Sequence, residues 1–250
     1  MAIVCKSPAE LEKMRRSGRI VRQVLDMLKA MVAPGSTTRD LERAAEKRIR
    51  ELGAKAAFKG YYDYPCVLCT SINNEIVHGI PSDKRVLKEG DIVSIDCGVV
   101  LDGFYGDAAI TVPVSQPLDG ELKRLLEVTE ASLYRGIEEM RVGQTVGDVG
   151  AAVQELVEAS GFSVVREFVG HGIGRRLHEE PQVPNYGVRG QGATLREGMV
   201  LAIEPMVNAG SPGARLLEDR WTAVTTDGSF SAHFEHSVAV TAGGPLILTA

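Results

Sequence analysis

The sequence has few cysteines and no long apolar segment. Four cysteines occur among 250 residues, and no apolar run approaches the roughly 20 residues that a transmembrane helix requires. Residues 1–13 become charged early and lack the apolar core of a signal peptide. These absences predict a soluble, cytoplasmic chain without disulfide bonds and without membrane association.

Two of the cysteines, Cys66 and Cys69, form an isolated Cys-x-x-Cys motif. A zinc site of this kind needs a second pair of ligands, which the sequence does not provide. The segment is predicted to belong to a strand, where residues three apart face opposite sides. We therefore favour one buried cysteine and one in a wall over a metal or redox role.

Neither sign of charge dominates the composition. The 28 Lys and Arg residues against 33 Asp and Glu residues give a net charge of −5. This balance argues against a protein whose whole surface binds nucleic acid. The length suits a single α/β domain or two fused halves.

Two patterns recur at a constant offset. A Gly-x-Thr-x-x-Asp motif ends at Asp40 and again at Asp148, and its Thr and Asp form a capping pair for a helix. A glycine turn followed by a β-rich apolar segment ends at Asp96 and again at Glu204. Because both pairs are 108 residues apart, we predict duplicated halves related by a pseudo-two-fold axis. The halves are roughly 7–112 and 115–241 of a single domain, 1–250.

The helical patterns fit this duplication. The first helix is predicted to begin at Pro8 and to stop before Gly35, and the third to run from Leu118 until near Gly143. Each half therefore contains two helices followed by strands. This order predicts an α+β fold in which helices cover an antiparallel sheet.

Four carboxylates lie in apolar, strand-like surroundings: Asp96, Asp107, Glu204 and Glu235. A carboxylate in such a place is costly unless it is paired with a cation. These strands contain no Arg or Lys, so internal ion pairs are the less favoured explanation. A metal site is the favoured one.

A predicted hairpin relates the two aspartates. Asp102-Gly103 marks a tight turn whose register places Asp96 opposite Ala109. Since residues two apart share a strand face, Asp96 and Asp107 are predicted as diagonal neighbours about 7–8 Å apart. Metal ions relieve the repulsion between two such charges, whereas burial alone does not.

His171 completes the predicted ligand set. Its flanking glycines allow close backbone approach. A single histidine is more often a core or surface residue, but one imidazole with four carboxylates suits Mn, Fe, Co or Zn. Two such ions held by bridging carboxylates activate water, so the sequence predicts a metal-dependent hydrolase.

These residues resemble those of the pita-bread metallopeptidases, in particular the type I methionine aminopeptidases. The matching motifs extend over nearly the whole chain: Val77–Pro81, Ser94–Gly98, Gly106–Asp107, Gly170–Gly174, His178–Val183, Ile203–Pro205 and Phe234–His236. The resemblance implies the pita-bread fold and removal of the initiator methionine from nascent polypeptides whose second residue is small. It also implies two divalent ions.

The resemblance implies a role for each ligand. Asp107 and Glu235 are expected to bridge the two ions. Asp96 is expected to complete the ligand set of one ion, and His171 with Glu204 that of the other. Glu204 is also expected to transfer the proton of the attacking water.

Substrate contacts are implied in the same way. His78 is expected to contact the scissile amide, and His178 the developing oxyanion. The methionine pocket is expected to be lined by Tyr61, Tyr64, Cys69 and Trp221. Without the motifs, these aromatic residues would be ascribed to an ordinary core.

Two residues on the expected pocket wall depart from the family pattern. Leu177 stands where related bacterial enzymes usually have an aromatic residue, and Phe58 where a smaller cysteine is common. Both departures bear on the shape of the pocket and not on the metal ligands.

Two other functions share parts of this pattern. Proline-directed peptidases of the same fold use the five ligands, but usually carry an extra N-terminal domain, for which a first repeat starting near residue 7 leaves no room. Non-catalytic binding proteins of this fold typically lose ligands, whereas all five are present here.

Two basic stripes are formed by Arg15, Arg19 and Arg22, and by Arg43, Lys47 and Arg50. Such stripes are usually solvated helix faces. Transient docking on the ribosome is the alternative, and no specific nucleic-acid sequence is expected as a partner.

Overall fold

The computed structural model describes residues 2–115, 118 and 120–250. Its helices are α1 Pro8–Met31, α2 Thr38–Glu51, α3 Gly120–Glu138 and α4 Val146–Ala159, and Tyr61–Asp63 form a 3₁₀ turn. The strands are β1 Lys55–Ala56, β2 Leu68–Ile72, β3 Glu75–Val77, β4 Ile92–Leu101, β5 Phe104–Pro113, β6 Ser163–Val164, β7 Gly170–Gly172, β8 Glu179–Val183, β9 Val200–Ile203, β10 Met206–Asn208, β11 Ala214–Leu216, β12 Ala223–Thr225, β13 Ser231–His233, β14 Glu235–Thr241 and β15 Gly244–Ile247.

The predicted starts of the first, second and fourth helices are confirmed, whereas the third helix begins at Gly120 and Leu118 lies outside it. α1 begins at Pro8, and α2 and α4 each begin with a reciprocal capping box, Thr37 with Asp40 and Thr145 with Asp148. Each box satisfies amides that the first helical turn leaves without partners. Among the described residues, no helix combines the length and apolarity needed to cross a bilayer.

The two halves also match in their long-range contacts. Outside the strands, isolated β-bridges join Thr37 to Val86 and Thr145 to Thr194. Both residues of the second bridge lie 108 positions after their counterparts in the first. This equivalence supports the duplication, and we propose that the halves are related by a pseudo-two-fold axis within one domain.

The main sheet joins the halves through antiparallel strands. Its described strands have the order β1-β4-β5-β14-β9-β7-β8, with β2 also paired to β4 and β15 to β14. The predicted β4–β5 hairpin is confirmed, including the pairing of Asp96 with Ala109. β5 of the first half then pairs with β14 of the second.

The helices cover one face of this sheet. Ile95 and Cys97 of β4 pack with Leu25 of α1 and Leu41 of α2 in one buried cluster, and α3 and α4 pack on β9 and β14 in a second. Because successive strand residues face opposite sides, Asp96 points away from the helices. The predicted α+β arrangement is confirmed, and it leaves the opposite face for the site.

The cysteines are free, with Cys5 exposed and the other three buried. β2 begins two residues after Cys66, so the prediction that this residue lies in a strand with Cys69 is wrong. The physical reason is a contact with α2, since the amide of Val67 donates to the side chain of Glu42 instead of to a neighbouring strand.

Candidate metal centre

A cavity of about 500 Å³ brings the predicted site residues together. Its wall includes every predicted position: Tyr61, Tyr64, Cys69, His78, Asp96, Asp107, His171, His178, Glu204, Trp221 and Glu235. The two departures from the family pattern, Phe58 and Leu177, also line it. Both halves contribute, so the cavity forms where they meet.

The order of the strands explains how residues distant in sequence become neighbours. Asp96 lies on β4 and Asp107 on β5. Glu235 begins β14, which pairs with β5. His171 lies on β7, which pairs with β9, and Glu204 directly follows β9. Because adjacent strands are only about 4.8 Å apart, these side chains converge.

Three of the side chains already form a potential ligand set. Asp107, His171 and Glu235 each offer an atom, and these atoms lie within 4.8 Å of one another. Nε2 of His171 is 3.5 Å from Oε1 of Glu204. One imidazole among carboxylates is a donor set suited to a divalent transition ion.

Burial raises the pKa of all four carboxyl groups. For Asp107, Glu204 and Glu235 the pKa lies well above its ordinary value, first because of burial and then because nearby carboxylates disfavour further negative charge. Burial raises the pKa of Asp96 to about 7. Burial also lowers the pKa of His171 to about 3, so its imidazole is neutral and able to bind a metal at neutral pH.

Several oxygens of the site need a partner that the described residues do not supply. Oδ1 of Asp96, Oδ1 of Asp107 and Oε1 of Glu235 are buried without a hydrogen bond. In the described part of the chain no lysine or arginine pairs with the four acids, and the imidazoles of His171 and His233 approach Glu204. Unpartnered buried carboxylates are costly. Internal ion pairs therefore do not explain the cluster, and its residues fit divalent metal ions.

Two further histidines flank the ligand set. The ring centroid of His178 is 4.1 Å from that of His171, and its Nδ1 is 2.7 Å from the hydroxyl of Tyr61. His78 has a φ of +62°, a region rare for residues other than glycine. Burial lowers the pKa of His178, and that of His78 to about 4. Both rings are neutral at neutral pH and each can donate one N–H.

The apolar part of the cavity is formed by aromatic and sulfur-containing side chains. The rings of Tyr64 and Trp221 meet edge-on, with centroids 5.0 Å apart. Burial raises the pKa of the Cys69 thiol, which therefore stays neutral and acts as a soft apolar wall. Phe58 and Leu177 are buried in the same cluster. These residues line a cavity and are not solely core.

The structure adds one residue that the sequence analysis missed. Nε2 of His233 is buried without a hydrogen bond and lies 3.8 Å from Oε2 of Glu204. His233 lies two residues before Glu235 in the sequence, and alternate residues of an extended segment share a face. This position was the sequence feature that could have indicated a place in the site.

The family model of metallopeptidase family M24 matches residues 12–242 of the chain. The chain belongs to metallopeptidase family M24. It is 51% identical to the methionine aminopeptidase of Clostridium perfringens over 99% of this chain and 98% of that protein. Its fold resembles the crystal structure of methionine aminopeptidase from Thermotoga maritima, with a TM-score of 0.97, 48% identity and 99% of each chain covered.

A likeness to a prolidase extends to the fold. The prolidase of Pyrococcus furiosus is 23% identical to this chain with a TM-score of 0.77, and the match covers 99% of this chain but 65% of that one. The two likenesses together confirm the pita-bread fold predicted from the sequence.

Proposed function

We propose that the protein is a metal-dependent methionine aminopeptidase that releases the N-terminal methionine of nascent polypeptides. One observation carries the proposal: a set of buried carboxylates with unpartnered oxygens shares a cavity with an apolar wall of aromatic and sulfur-containing side chains. The first part fits divalent ions, and the second fits a single apolar side chain. The high identity to methionine aminopeptidases supports this function over proline-directed cleavage.

The proposed centre holds two divalent ions. Asp107 and Glu235, which each offer a ligand atom within 4.8 Å of the other and of His171, would bridge the ions. Asp96 would complete one ligand set, and His171 with Glu204 the other. Bound ions of this kind polarise a carbonyl and lower the pKa of water. The donor set suits Mn, Fe, Co or Zn.

Glu204 is the proposed proton carrier. Its carboxylate lies between the imidazoles of His171 and His233, at 3.5 and 3.8 Å. It is proposed to take up a proton from the attacking water. The same carboxyl group then delivers the proton to the leaving amine.

His178 is the proposed donor to the oxyanion. Its ring is neutral, because burial lowers its pKa. The hydroxyl of Tyr61 can donate to Nδ1, which leaves the proton of the neutral ring on Nε2. An N–H held in this way stabilises the charge that develops on the scissile carbonyl oxygen. His78, on the same cavity wall, is proposed to contact the scissile amide.

The pocket is proposed to select methionine and a small second residue. Tyr61, Tyr64 and Trp221 offer aromatic surfaces to an unbranched thioether, and Cys69 adds a polarizable wall. Beyond the scissile bond the substrate must pass His78 and His178, which leaves little room for a long side chain.

We further propose that the enzyme acts in the cytoplasm. Its basic stripes are largely neutralised on their own helices: Arg15 and Arg19 approach Glu12, Arg22 pairs with Asp26, Arg43 with Asp40, and Lys47 with Glu51. This pairing favours solvated helix faces over a strong docking surface, so any ribosome contact is proposed to be transient.

A matched pair of variants tests the function. Glu204→Gln removes the proposed proton carrier, and Glu155→Gln makes the same change on the surface, where Glu155 bonds Arg189. With Mn²⁺ present, Glu204→Gln is expected to lose about 10²-fold or more in kcat on a Met-Ala-Ser peptide. Glu155→Gln is expected to match the unmodified protein. Equal activity of both variants, or release only from peptides with proline in second position, would contradict the proposal.

A further inference from the structure

The segment before α1 is fixed next to the cavity by a buried lysine. The amide of Lys6 donates to the carbonyl of Gly198 at 2.6 Å. Its Nζ donates to Oε2 of Glu179 at 2.7 Å and to the carbonyl of Val4 at 3.0 Å. The side chains of Lys6 and Glu179 are only 3% and 5% exposed. This ion pair joins residues 173 positions apart in the chain.

The partner of Lys6 shapes a turn of the cavity wall. Oε1 of Glu179 accepts the backbone amides of Arg175 at 2.8 Å and Arg176 at 3.1 Å. These amides begin the turn between β7 and β8, which carries Leu177 and His178 into the cavity. One carboxylate therefore connects Lys6 to the backbone that presents both residues.

The packing around the pair is close. A Cβ added at Gly174 would lie 2.4 Å from Cε of Lys6 and 2.8 Å from Oε1 of Glu179. Glycine at this position therefore lets the turn approach the pair directly. A neutral side chain in place of Lys6 would leave the carboxylate buried and unpaired. The carboxylate would then move toward water and release the amides of the turn.

Energetics favours a positional role for the pair over a stabilising one. Taking two charges out of water offsets most of their attraction, so a buried ion pair is weak evidence for stability. A buried ion pair instead fixes the geometry of the residues around it. The pair of Lys6 and Glu179 fixes the turn next to His178.

We propose that Lys6 is a positioning residue for catalysis, which acts by holding Glu179 so that the turn keeps His178 at the scissile carbonyl. This inference rests on the proposed function. Lys6 reaches His178 through the backbone of the turn, whereas Tyr61 holds the ring of His178 directly. The two contacts together fix both the location and the orientation of the imidazole.

A double-mutant cycle with His178 tests the proposal. Lys6→Met is expected to lower kcat on a Met-Ala-Ser peptide about tenfold, since a small misplacement of a catalytic group has effects of this size. In the His178→Ala background, the same change is expected to lower the residual kcat by less than about twofold, because residues that act through one group are not additive. Glu179→Ala, in the same cycle, is expected to behave as Lys6→Met does.

The matched controls are Lys123→Met and Glu127→Ala, which break a surface pair on α3. Both are expected to leave kcat unchanged.

Two readouts do not depend on turnover. Amide exchange at Arg175 and Arg176 is expected to quicken in Lys6→Met and not in Lys123→Met. Mn²⁺ affinity, measured by calorimetry, is expected to change by less than about threefold, because the pair lies outside the ligand set. An equal loss of kcat with and without the His178 side chain would overturn the proposal, as would an unchanged kcat or the failure of both variants to fold. An unmodified protein that releases no methionine would instead overturn the proposed function, while the exchange result would still report on the turn.

Discussion

The hydroxyl of Tyr61 lies 2.7 Å from Nδ1 of His178, and the two ring centroids are 5.1 Å apart. The contact orients the imidazole, and a hydroxyl that donates to Nδ1 leaves the proton of the neutral ring on Nε2. Tyr61→Phe keeps the ring and removes the hydroxyl, so the proton of the neutral imidazole is free to occupy either nitrogen. We expect kcat to fall about tenfold with a smaller change in KM, in line with loss of a contact that orients an acid–base group.

Tyr134→Phe is the control for this change, since Tyr134 lies on α3 outside the cavity lining. Steady-state kinetics on a Met-Ala-Ser peptide compares the two variants. If Tyr61→Phe raised KM and left kcat unaltered, Tyr61 would act only as part of the pocket wall.

Metal binding is expected to weaken as the pH falls. The carboxyl groups have a raised pKa, to about 7 for Asp96 and well above the ordinary value for Asp107, Glu204 and Glu235. Asp96 is therefore partly protonated near neutral pH, its neighbours favour the protonated form more than free carboxyl groups do, and a bound metal must displace these protons. His171, whose pKa is lowered to about 3, contributes no proton in this range.

Calorimetric titration of the metal-free protein with Mn²⁺ measures this linkage. The affinity at pH 6 is expected to be lower than at pH 7.5, with protons released in buffers of different ionisation enthalpy. An affinity independent of pH, without proton release, would show that the site carboxylates are already ionised.

The wall residue Leu177 is expected to set part of the specificity. It is buried and lines the cavity. Leu177→Phe is expected to sharpen the preference for Met over Leu, by an amount within the about 1–3 kcal/mol that one apolar mismatch provides. Kinetics on Met-Ala-Ser and Leu-Ala-Ser peptides measures the ratio. An unchanged ratio would place Leu177 outside the specificity-determining part of the wall, and a lower ratio would contradict the predicted direction.

The cap of α4 is expected to contribute stability that depends on pH. Hydrogen bonds from the side chain and amide of Thr145, and from the amide of Gly190, lower the pKa of Asp148. A group with a lowered pKa contributes stability above its ordinary pKa and loses that contribution as the pH falls through the folded-state value. Asp148→Ala is therefore expected to cost about 1 kcal/mol at pH 7 and less near pH 3. Urea unfolding at both pH values checks the sign, and an equal cost at both would contradict it.

The sequence predicts most of the elements that depend on local signals. Pro8 and the Thr–Asp capping pairs mark the helix starts, and Asp102-Gly103 fixes the hairpin that pairs Asp96 with Ala109. Long-range pairings carry no such local signal. The contact of β14 with β5 and the approach of His233 to Glu204 depend on how the two halves pack.

Residues outside recognisable patterns were likewise not predictable. Lys6 resembles any surface lysine in the sequence, and only the folded chain brings it to Glu179. Cys66 leaves the predicted strand because the side chain of Glu42 binds the amide of Val67. The periodicity of apolar residues predicts neither contact, because each contact joins residues that are far apart in the sequence.

The most direct test of the account is a comparison of four peptides by kcat/KM. Met-Ala-Ser, Met-Lys-Ser, Leu-Ala-Ser and Met-Pro-Ser are assayed with the Mn²⁺-loaded enzyme and again after chelation. We predict efficient release of methionine from Met-Ala-Ser, at least about tenfold lower values for Met-Lys-Ser and Leu-Ala-Ser, and loss of activity on chelation. Equal kcat/KM for Met-Ala-Ser and Leu-Ala-Ser, a preference for Met-Pro-Ser over every other peptide, or undiminished turnover in chelator would contradict it.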